Sequence, residues 1–338
     1  MKVAVIFGGF GFLGAHFSDY LVINKKYNKI YLYDLQVKPY SQYNYNEKLI
    51  NGNDKIIRIN GDVRKNIEWE PKEKINLIAN FAAVHREPGH DAYEYYETNI
   101  LGSENICNWA DRIECYNMLF TSSIAPYGDM PWVKNESTLP VPDTPYGCSK
   151  LIAEKINILW HSKLTKEKKL LIIRPGVVFG PGEGGNVTRL IKAIKNGYFI
   201  YSGNKKTIKA GVYIKELCNA IGSVLCSKDF ENKKVILFNM TMNPPPTVEN
   251  YVQSISEILN KKPFAPSIPP FILITIAYII QFLCSLLNHT SSINPTRVRK
   301  LSKSNNVIPE YLIRNKYKYK YTLDEALRDW KNINQNDW

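Results

Sequence analysis

The sequence predicts an α/β protein, a doubly wound parallel sheet joined to a smaller, discontinuous second lobe. Two observations carry that prediction. Runs rich in β-branched residues alternate with helical stretches through the first half of the 338-residue chain, the pattern of repeated strand–helix–strand units. A glycine-rich turn, GGFGFLG at residues 8–14, separates the first strand from the first helix.

Taken in order, KVAVIFG is the first strand, and a helical pattern follows from Phe12 to about Asn24. KIYLYD, KIIRING and INLIANFAA are the next three strands. DAYEYYETNILGSENICNWADRI predicts one long helix, with Tyr96, Ile100, Ile106 and Trp109 near helical spacing. NMLFTSS is a fifth strand, TPYGCSKLIAEKINILWHSK another helix and KLLIIRP a sixth strand. Beyond Pro175 the pattern loosens. Clusters such as GPGEGG, NPPPT and KKPFAPSIPP separate short helices, which is the composition of a second, smaller lobe.

Composition narrows the class. Hydrophobic content of 44% and charged content of 22% are ordinary for a globular chain. The six cysteines (Cys107, Cys115, Cys148, Cys218, Cys226 and Cys284) contain no C-x-x-C pair. That argues against a disulfide framework or a metal site and for a reducing compartment, so a cytoplasmic protein is expected. The glycines break the apolar start of MKVAVIFGGFGFLG, which therefore reads as a strand and not as a signal peptide. The net charge is +13. Seven basic residues and no acid lie between Gly184 and Lys215, and eight stand against Glu310 alone between Arg297 and Lys320. Such an excess suits phosphorylated substrates or a membrane surface. No nucleic-acid motif accompanies it, so no nucleic-acid partner is expected.

The glycine turn has the spacing of a dinucleotide site. Gly8, Gly11 and Gly14 allow a tight turn, close backbone approach to a pyrophosphate and close helix–strand packing, with phosphate on the N–H groups of the helix start. Asp34 ends the second strand, twenty residues after Gly14. A carboxylate there accepts hydrogen bonds from ribose hydroxyls and repels a 2′-phosphate, which favours NAD over NADP. Asp62, in GDVR, could meet the adenine amino group, although a plain Gly-Asp turn explains it as well. The sheet is thus expected to be Rossmann-type. Residues 1–174 with about 207–240 would form the NAD-binding domain, and about 175–206 with 241–338 the substrate-binding lobe.

Tyr146 and Lys150, in YGCSK, stand four apart on a predicted helix and so share a face. An ammonium near a phenol stabilises the phenolate and lowers its pKa from about 10, making a general base. Upstream, TSSIAPYG leaves Ser122 and Ser123 at the end of a strand, the carboxyl edge where such sheets bind ligands.

The glycine turn, Asp34, GDV, NFAA, the stretch from Thr98 to Asn105, TSS with YG, YGCSK and RPGVVFGPG occur in one order across more than half the chain. In these motifs the sequence resembles the extended short-chain dehydrogenase/reductase family, and within it the nucleotide-sugar 4-epimerases. The resemblance implies NAD as cofactor, with Ser123, Tyr146 and Lys150 catalytic. It implies cofactor contacts from Gly8, Gly11, Phe12, Leu13, Gly14, Asp34, Asp62, Val63, Phe81, Ala82, Ala83, Asn99, Tyr146, Lys150 and Pro175. Related dehydratases and decarboxylases carry an acid just after the Ser/Thr motif, where this chain has Ile124 and Ala125. That leaves epimerases, 4-keto-sugar reductases and hydroxysteroid-type dehydrogenases. For substrate, the resemblance points to His85 and Arg86 near the cleft, Ser123, Asn186 heading a helix, Arg189, and Lys209 where relatives use Arg for phosphate. Lysine holds phosphate as a point charge without the bidentate fork. A homodimer is common among relatives, and a diphosphate-linked sugar is the expected partner.

AAVHREP, FTSSIAPYG and RPGVVFG with GNV also resemble a narrower group, membrane-associated epimerases acting on N-acetylglucosamine carried by undecaprenyl diphosphate. PSIPPFILITIAYIIQFLCSLLN bears on this. From Phe271 to Leu287 it is seventeen residues without a charge, at the short end of the spanning range. Thr275, Tyr278, Gln281, Ser285 and Asn288 form one polar stripe on a helix. The run can span a membrane, fill the second lobe, or lie at a membrane surface with its stripe toward the protein. The basic stretch 297–320 favours the last, giving a peripheral protein on the cytoplasmic membrane face.

Overall fold

The computed structural model describes residues 1–36, 44–87, 89–163, 167–232, 235–261, 265–286 and 295–338. Its main sheet has seven parallel strands, β1 (Val3–Phe7), β2 (Lys29–Asp34), β3 (Ile56–Asn60), β4 (Leu77–Asn80), β5 (Asn117–Thr121), β6 (Lys169–Pro175) and β10 (Val235–Met240), in the order β10-β6-β5-β4-β1-β2-β3. Two short pairs, β7 (Val177–Phe179) with β9 (Gly211–Tyr213) and β8 (Tyr201–Ser202) with β11 (Ser267–Ile268), belong to the region beyond Pro175. The fold class read from the sequence is the one observed. The seventh strand, VILFNM, is an addition to the six expected ones: a β-branched run that closes the edge beside β6.

The strands read as unbroken apolar runs because both faces of the sheet are covered. In β1, Ala4 and Ile6 point into one core cluster while Val3, Val5 and Phe7 point into the other. β6 divides in the same way, Leu171 and Ile173 against Leu170 and Ile172.

Helices α1 (Phe12–Ile23), α2 (Asn44–Ile50), α3 (Ala92–Tyr95), α4 (Gly102–Arg112), α5 (Pro145–Ser162), α6 (Asn186–Lys195), α7 (Ile214–Leu225), α8 (Lys228–Asn232), α9 (Val248–Ile258), α10 (Pro270–Leu286), α11 (Pro295–Ser302), α12 (Glu310–Arg314) and α13 (Leu323–Ile333) complete the described chain. The single long helix expected from residue 91 is interrupted. A π-helical turn, Tyr96–Leu101, joins α3 to α4 and turns Asn99 inward. The fourth strand is also shorter than INLIANFAA suggested, because Phe81 and the two alanines after it leave the sheet.

Register brings the strand ends level. Phe7 pairs with Tyr33 and with Asn80, Asn80 with Phe120, and Thr121 with Ile173. The glycine turn, Asp34, the loop from Phe81, Ser122–Ser123 and Pro175 therefore issue from one edge. The strand order reverses between β1 and β4 on that edge, the position where open α/β sheets hold their ligands.

Candidate active site

The glycine turn is shaped by contact. Gly8 has φ +71°, and a side chain there would press on the backbone of Phe81 and Ala82. A side chain at Gly14 would meet the Gly8 carbonyl at 2.3 Å. Gly11 begins α1 with no side-chain cap, and no acid lies in the first turn. The N–H groups of Phe12 and Leu13 thus open a helix start that offers them no internal acceptor. Asp34 is buried at the end of β2, and its Oδ2 accepts from the Phe10 N–H at 3.0 Å. A backbone cradle, an uncapped helix start and a carboxylate beside them suit a dinucleotide pyrophosphate and ribose.

The other expected cofactor residues are placed differently from one another. Asp62 is held by Arg64 through two arms, Nε to Oδ1 at 2.9 Å and Nη2 to Oδ2 at 2.8 Å, which lowers its carboxyl pKa. Val63 packs against Gly102, and its carbonyl accepts from Asn105. Asn99 is buried and spends its amide on protein: it accepts from Val84 N–H at 2.9 Å and donates to the Val84 carbonyl at 3.0 Å and to Ser149 Oγ at 2.8 Å. It braces the loop that carries Phe81, Ala82, Ala83, His85 and Arg86. Tyr95 braces the same loop, donating to the Arg86 carbonyl at 2.5 Å. The Pro175 carbonyl accepts from Ile124 N–H at 3.1 Å, which ties the serine turn to the end of β6.

Thr144 caps α5, and Pro145 starts it, so the helix begins just before Tyr146. Ser123 Oγ accepts from the Ala125 N–H at 3.1 Å, and its hydroxyl is among the groups that act on the Tyr146 phenol. Lys150 is buried, with Nζ 4.5 Å from the centre of the Phe120 ring. Burial drives the two in opposite directions. It pushes the Tyr146 phenol up to about 12, with Glu87 and Tyr95 adding to the rise and Ser123 opposing it. It pushes the Lys150 ammonium down to about 7, opposed by Glu154. The lowered tyrosine pKa expected from the i,i+4 spacing alone is therefore not what the protein groups set, because desolvation of the phenol is the largest influence on it. His85 lies exposed in the loop after β4. Its imidazole is held below the usual value by the surrounding protein, then by Arg86, His90 and Lys150, while a hydrogen bond to Ala83 opposes.

At the substrate end the expected residues divide into two groups. Asn186 heads α6 and accepts from Arg189 Nη2 at 2.8 Å, both exposed. Glu183, which the sequence reading passed over, caps the same helix by accepting from Thr188 N–H at 3.0 Å and Thr188 Oγ1 at 2.6 Å. Lys209 donates to the Lys303 carbonyl at 2.6 Å, and burial lowers it to about 8. Lys303 in turn pairs with Asp129. The sequence reading also passed over a buried pair between α5 and β6, Glu154 with Arg174. Its one signal was the spacing of Glu154 four beyond Lys150.

The apolar helix is not a buried core element. Phe271, Ile276, Ile279, Phe282 and Leu283 are exposed, and among the side chains described from 270 to 284 Ala277 alone is fully buried. Nor does the polar stripe face the protein. Thr275, Tyr278 and Gln281 lie exposed; Thr275 satisfies its hydroxyl on the Phe271 carbonyl at 2.9 Å, and Tyr278 accepts from Arg299 Nη2 at 3.1 Å. The less exposed face of the helix is apolar, made of Leu273, Ile274, Ala277, Ile280 and Cys284. Leu287 and Asn288 lie outside the described residues. Among those described, no helix is long and apolar enough to cross a membrane.

A Rossmann-type sheet with a glycine cradle, and with Ser, Tyr and Lys gathered at one edge, defines an NAD-dependent enzyme of the extended short-chain dehydrogenase/reductase class. The model of the NAD dependent epimerase/dehydratase family matches residues 4–237, and the chain belongs to that family. It is similar to the N-acetyl-alpha-D-glucosaminyl-diphospho-ditrans,octacis-undecaprenol 4-epimerase of Escherichia coli O157:H7, 27% identical over 75% of each chain. The UDP-glucose 4-epimerase of Neisseria meningitidis serogroup A is 26% identical over 60% of each. Among solved structures, the UDP-glucuronic acid 4-epimerase from Bacillus cereus in complex with NAD shares the fold with a TM-score of 0.75, at 19% identity over all of both chains.

Proposed function

We propose that this protein is a sugar 4-epimerase acting on a diphosphate-linked sugar, nucleotide or polyprenyl, and serving surface polysaccharide synthesis. The observation that carries the reading is the gathering of Ser123, just past the end of β5, with Tyr146 and the buried Lys150 one turn apart on α5, at the sheet edge that holds the glycine cradle. Ile124 and Ala125 supply no acid for dehydration. NAD, held by the glycine turn and Asp34, supplies the hydride acceptor and donor at C4, by way of a 4-keto sugar. Tyr146 takes the proton of the 4-hydroxyl and returns it, and Ser123 orients the oxygen through its own hydroxyl. Charging a buried phenol or a buried ammonium alone is costly; charging the two together offsets both costs, which is the role of Lys150. Asn186, Arg189 and Lys209 offer polar groups to the diphosphate while the sugar turns over.

A polyprenyl carrier places the enzyme at a membrane surface. The exposed apolar arc of α10 and the basic residues from 297 to 320 support peripheral contact there.

Incubating the protein with UDP-sugars and polyprenyl-diphosphate sugars, without added reductant, tests the reading. Interconversion of a 4-epimeric pair is expected, falling about 10²–10⁴-fold in Tyr146→Phe while NAD binding persists. Consumption of NADH or NADPH with a 4-keto sugar, and no interconversion, overturns it in favour of a net oxidoreductase.

A further inference from the structure

Glu154 lies four residues beyond Lys150 and eight beyond Tyr146, on the same face of α5. It is 1% exposed, and Arg174, near the end of β6, is 4% exposed. The guanidinium grips the carboxylate as a fork, Nε to Oε1 at 2.8 Å and Nη2 to Oε2 at 2.6 Å. Ser122 Oγ donates to the same Oε1 at 2.5 Å. On its other side the guanidinium stands 4.7 Å from the centre of the Tyr127 ring. One carboxylate therefore joins three elements: the helix bearing Tyr146 and Lys150, the end of β5 leading into Ser123, and the end of β6.

Stability alone does not explain the pair. Desolvating two charges consumes most of what their attraction returns, and well-packed apolar side chains of similar volume often hold such a place as firmly. An apolar pair could not, however, put a negative charge one helical turn from a buried lysine.

We propose that Glu154 is a positioning residue of the catalytic centre: anchored by Arg174 and Ser122, it fixes α5 against two strand ends and supplies the counter-charge that keeps Lys150 an ammonium. Arg174 holds the Glu154 carboxylate in place through both its oxygens. This goes beyond the sugar reading and rests on it only in taking Tyr146 and Lys150 as the reacting pair.

Several groups face that pair. Tyr146 and Glu154 come from α5 itself, the Phe120 ring from β5, Arg174 from β6 behind Glu154, and His85 from the loop after β4. Glu87 and Tyr95 act on Tyr146. Among them Glu154 raises the titration of Lys150 against the burial that lowers it. Removing the carboxylate charge must therefore move the midpoint further down.

The test uses the full chain, saturated with NAD and labelled with 13Cε-lysine, with Lys150 assigned by its loss in Lys150→Arg. NMR titration should place Lys150 well below the surface lysines. Glu154→Gln should lower its midpoint by about one unit or more, while Glu154→Asp stays near the parent. Because E154Q leaves Arg174 buried and unpaired, the double variant E154Q/R174Q, which carries no unpaired charge, is measured beside it and should show a downward shift smaller than that of E154Q, since the arginine's repulsion of the ammonium is removed as well. An unchanged midpoint in a variant that melts like the parent overturns the proposal and leaves Glu154 a structural ion pair. No sugar enters the measurement, so its failure is distinct from a failure of the epimerase reading.

Discussion

Two helices of nearly equal length, α5 with 18 residues and α10 with 17, treat water in opposite ways. α5 buries Ser149, Lys150, Glu154 and Asn157, whereas α10 exposes Phe271, Ile276, Ile279, Phe282 and Leu283. In α5 the buried Ser149, Glu154 and Asn157 are each matched. Ser149 meets Asn99 and the Tyr146 carbonyl, Glu154 meets Arg174 and Ser122, and Asn157 donates to the Ala153 carbonyl at 2.8 Å. In α10 the few polar groups need no burial, because Thr275 bonds its own helix and Tyr278 meets Arg299. The contrast teaches that side-chain polarity did not decide what lies inside. The catalytic edge needs charge held away from water, and the apolar helix presents a surface still to be covered.

The sharpest way to break the contrast is to unmatch α5. Arg174→Met leaves Glu154 buried and unpaired, and should cost about 3–5 kcal/mol of stability by urea denaturation. A second change, E154Q, in the same chain should recover a large part of that loss. A loss below about 1 kcal/mol for R174M would mean that water already reaches the carboxylate.

A milder version of the same rule operates on α1. His16 is buried, with Nε2 2.9 Å from the Pro181 carbonyl and its ring stacked on Tyr45. Burial first, and Lys215 to a lesser degree, hold its imidazole down at about 4, with the Pro181 bond opposing. Free histidine titrates near 6.5, so between those values the unfolded chain binds more protons than the folded one. Stability should therefore be undiminished by this group above about pH 6.5 and fall as the pH drops toward 4, by roughly 3 kcal/mol in all. Urea midpoints at neutral and acidic pH should show that slope in the parent and a flatter one in His16→Gln. Equal slopes would remove His16 as the cause.

Most of the sheet was legible in the sequence because a strand covered on both faces must be apolar throughout, and VAVIF and KLLIIRP leave little choice. The glycine turn and YGCSK were legible for a related reason: each is a local pattern with a single geometric use. What escaped depended on distant partners. The π-turn at Tyr96–Leu101 answers to Val84 across the cleft, through Asn99. Glu154 finds Arg174 only after β6 has crossed beside β5. The orientation of α10 escaped too, because its sequence is apolar on both the exposed face and the face with Ala277, so hydrophobicity alone does not choose between them. The hydrogen bonds of Asn186 with Arg189 and of Lys209 with the Lys303 carbonyl were not legible either, because such bonds are set by local geometry the sequence does not display.

The smallest expected change in stability belongs to α10, and it is the one that separates the two helices most cleanly. Ile279 and Phe282 lie exposed, 53% and 64%, so changing both to serine should alter stability by no more than about 0.5 kcal/mol each. Lipid binding should respond strongly. Each large apolar side chain moved from water into the interfacial region is worth roughly 1.5–3 kcal/mol when fully buried, so losing two should weaken vesicle binding about tenfold or more. Arg299, at the Tyr278 flank of the arc, adds attraction to anionic headgroups, so the parent should float with vesicles containing phosphatidylglycerol better than with phosphatidylcholine alone. High salt should reduce that preference without releasing the parent completely, because the apolar arc is indifferent to screening. A parent that floats with neither vesicle, and instead self-associates through α10 in a manner abolished by the same serines, would assign the arc to a second copy of the chain and remove the physical argument for a lipid-borne substrate.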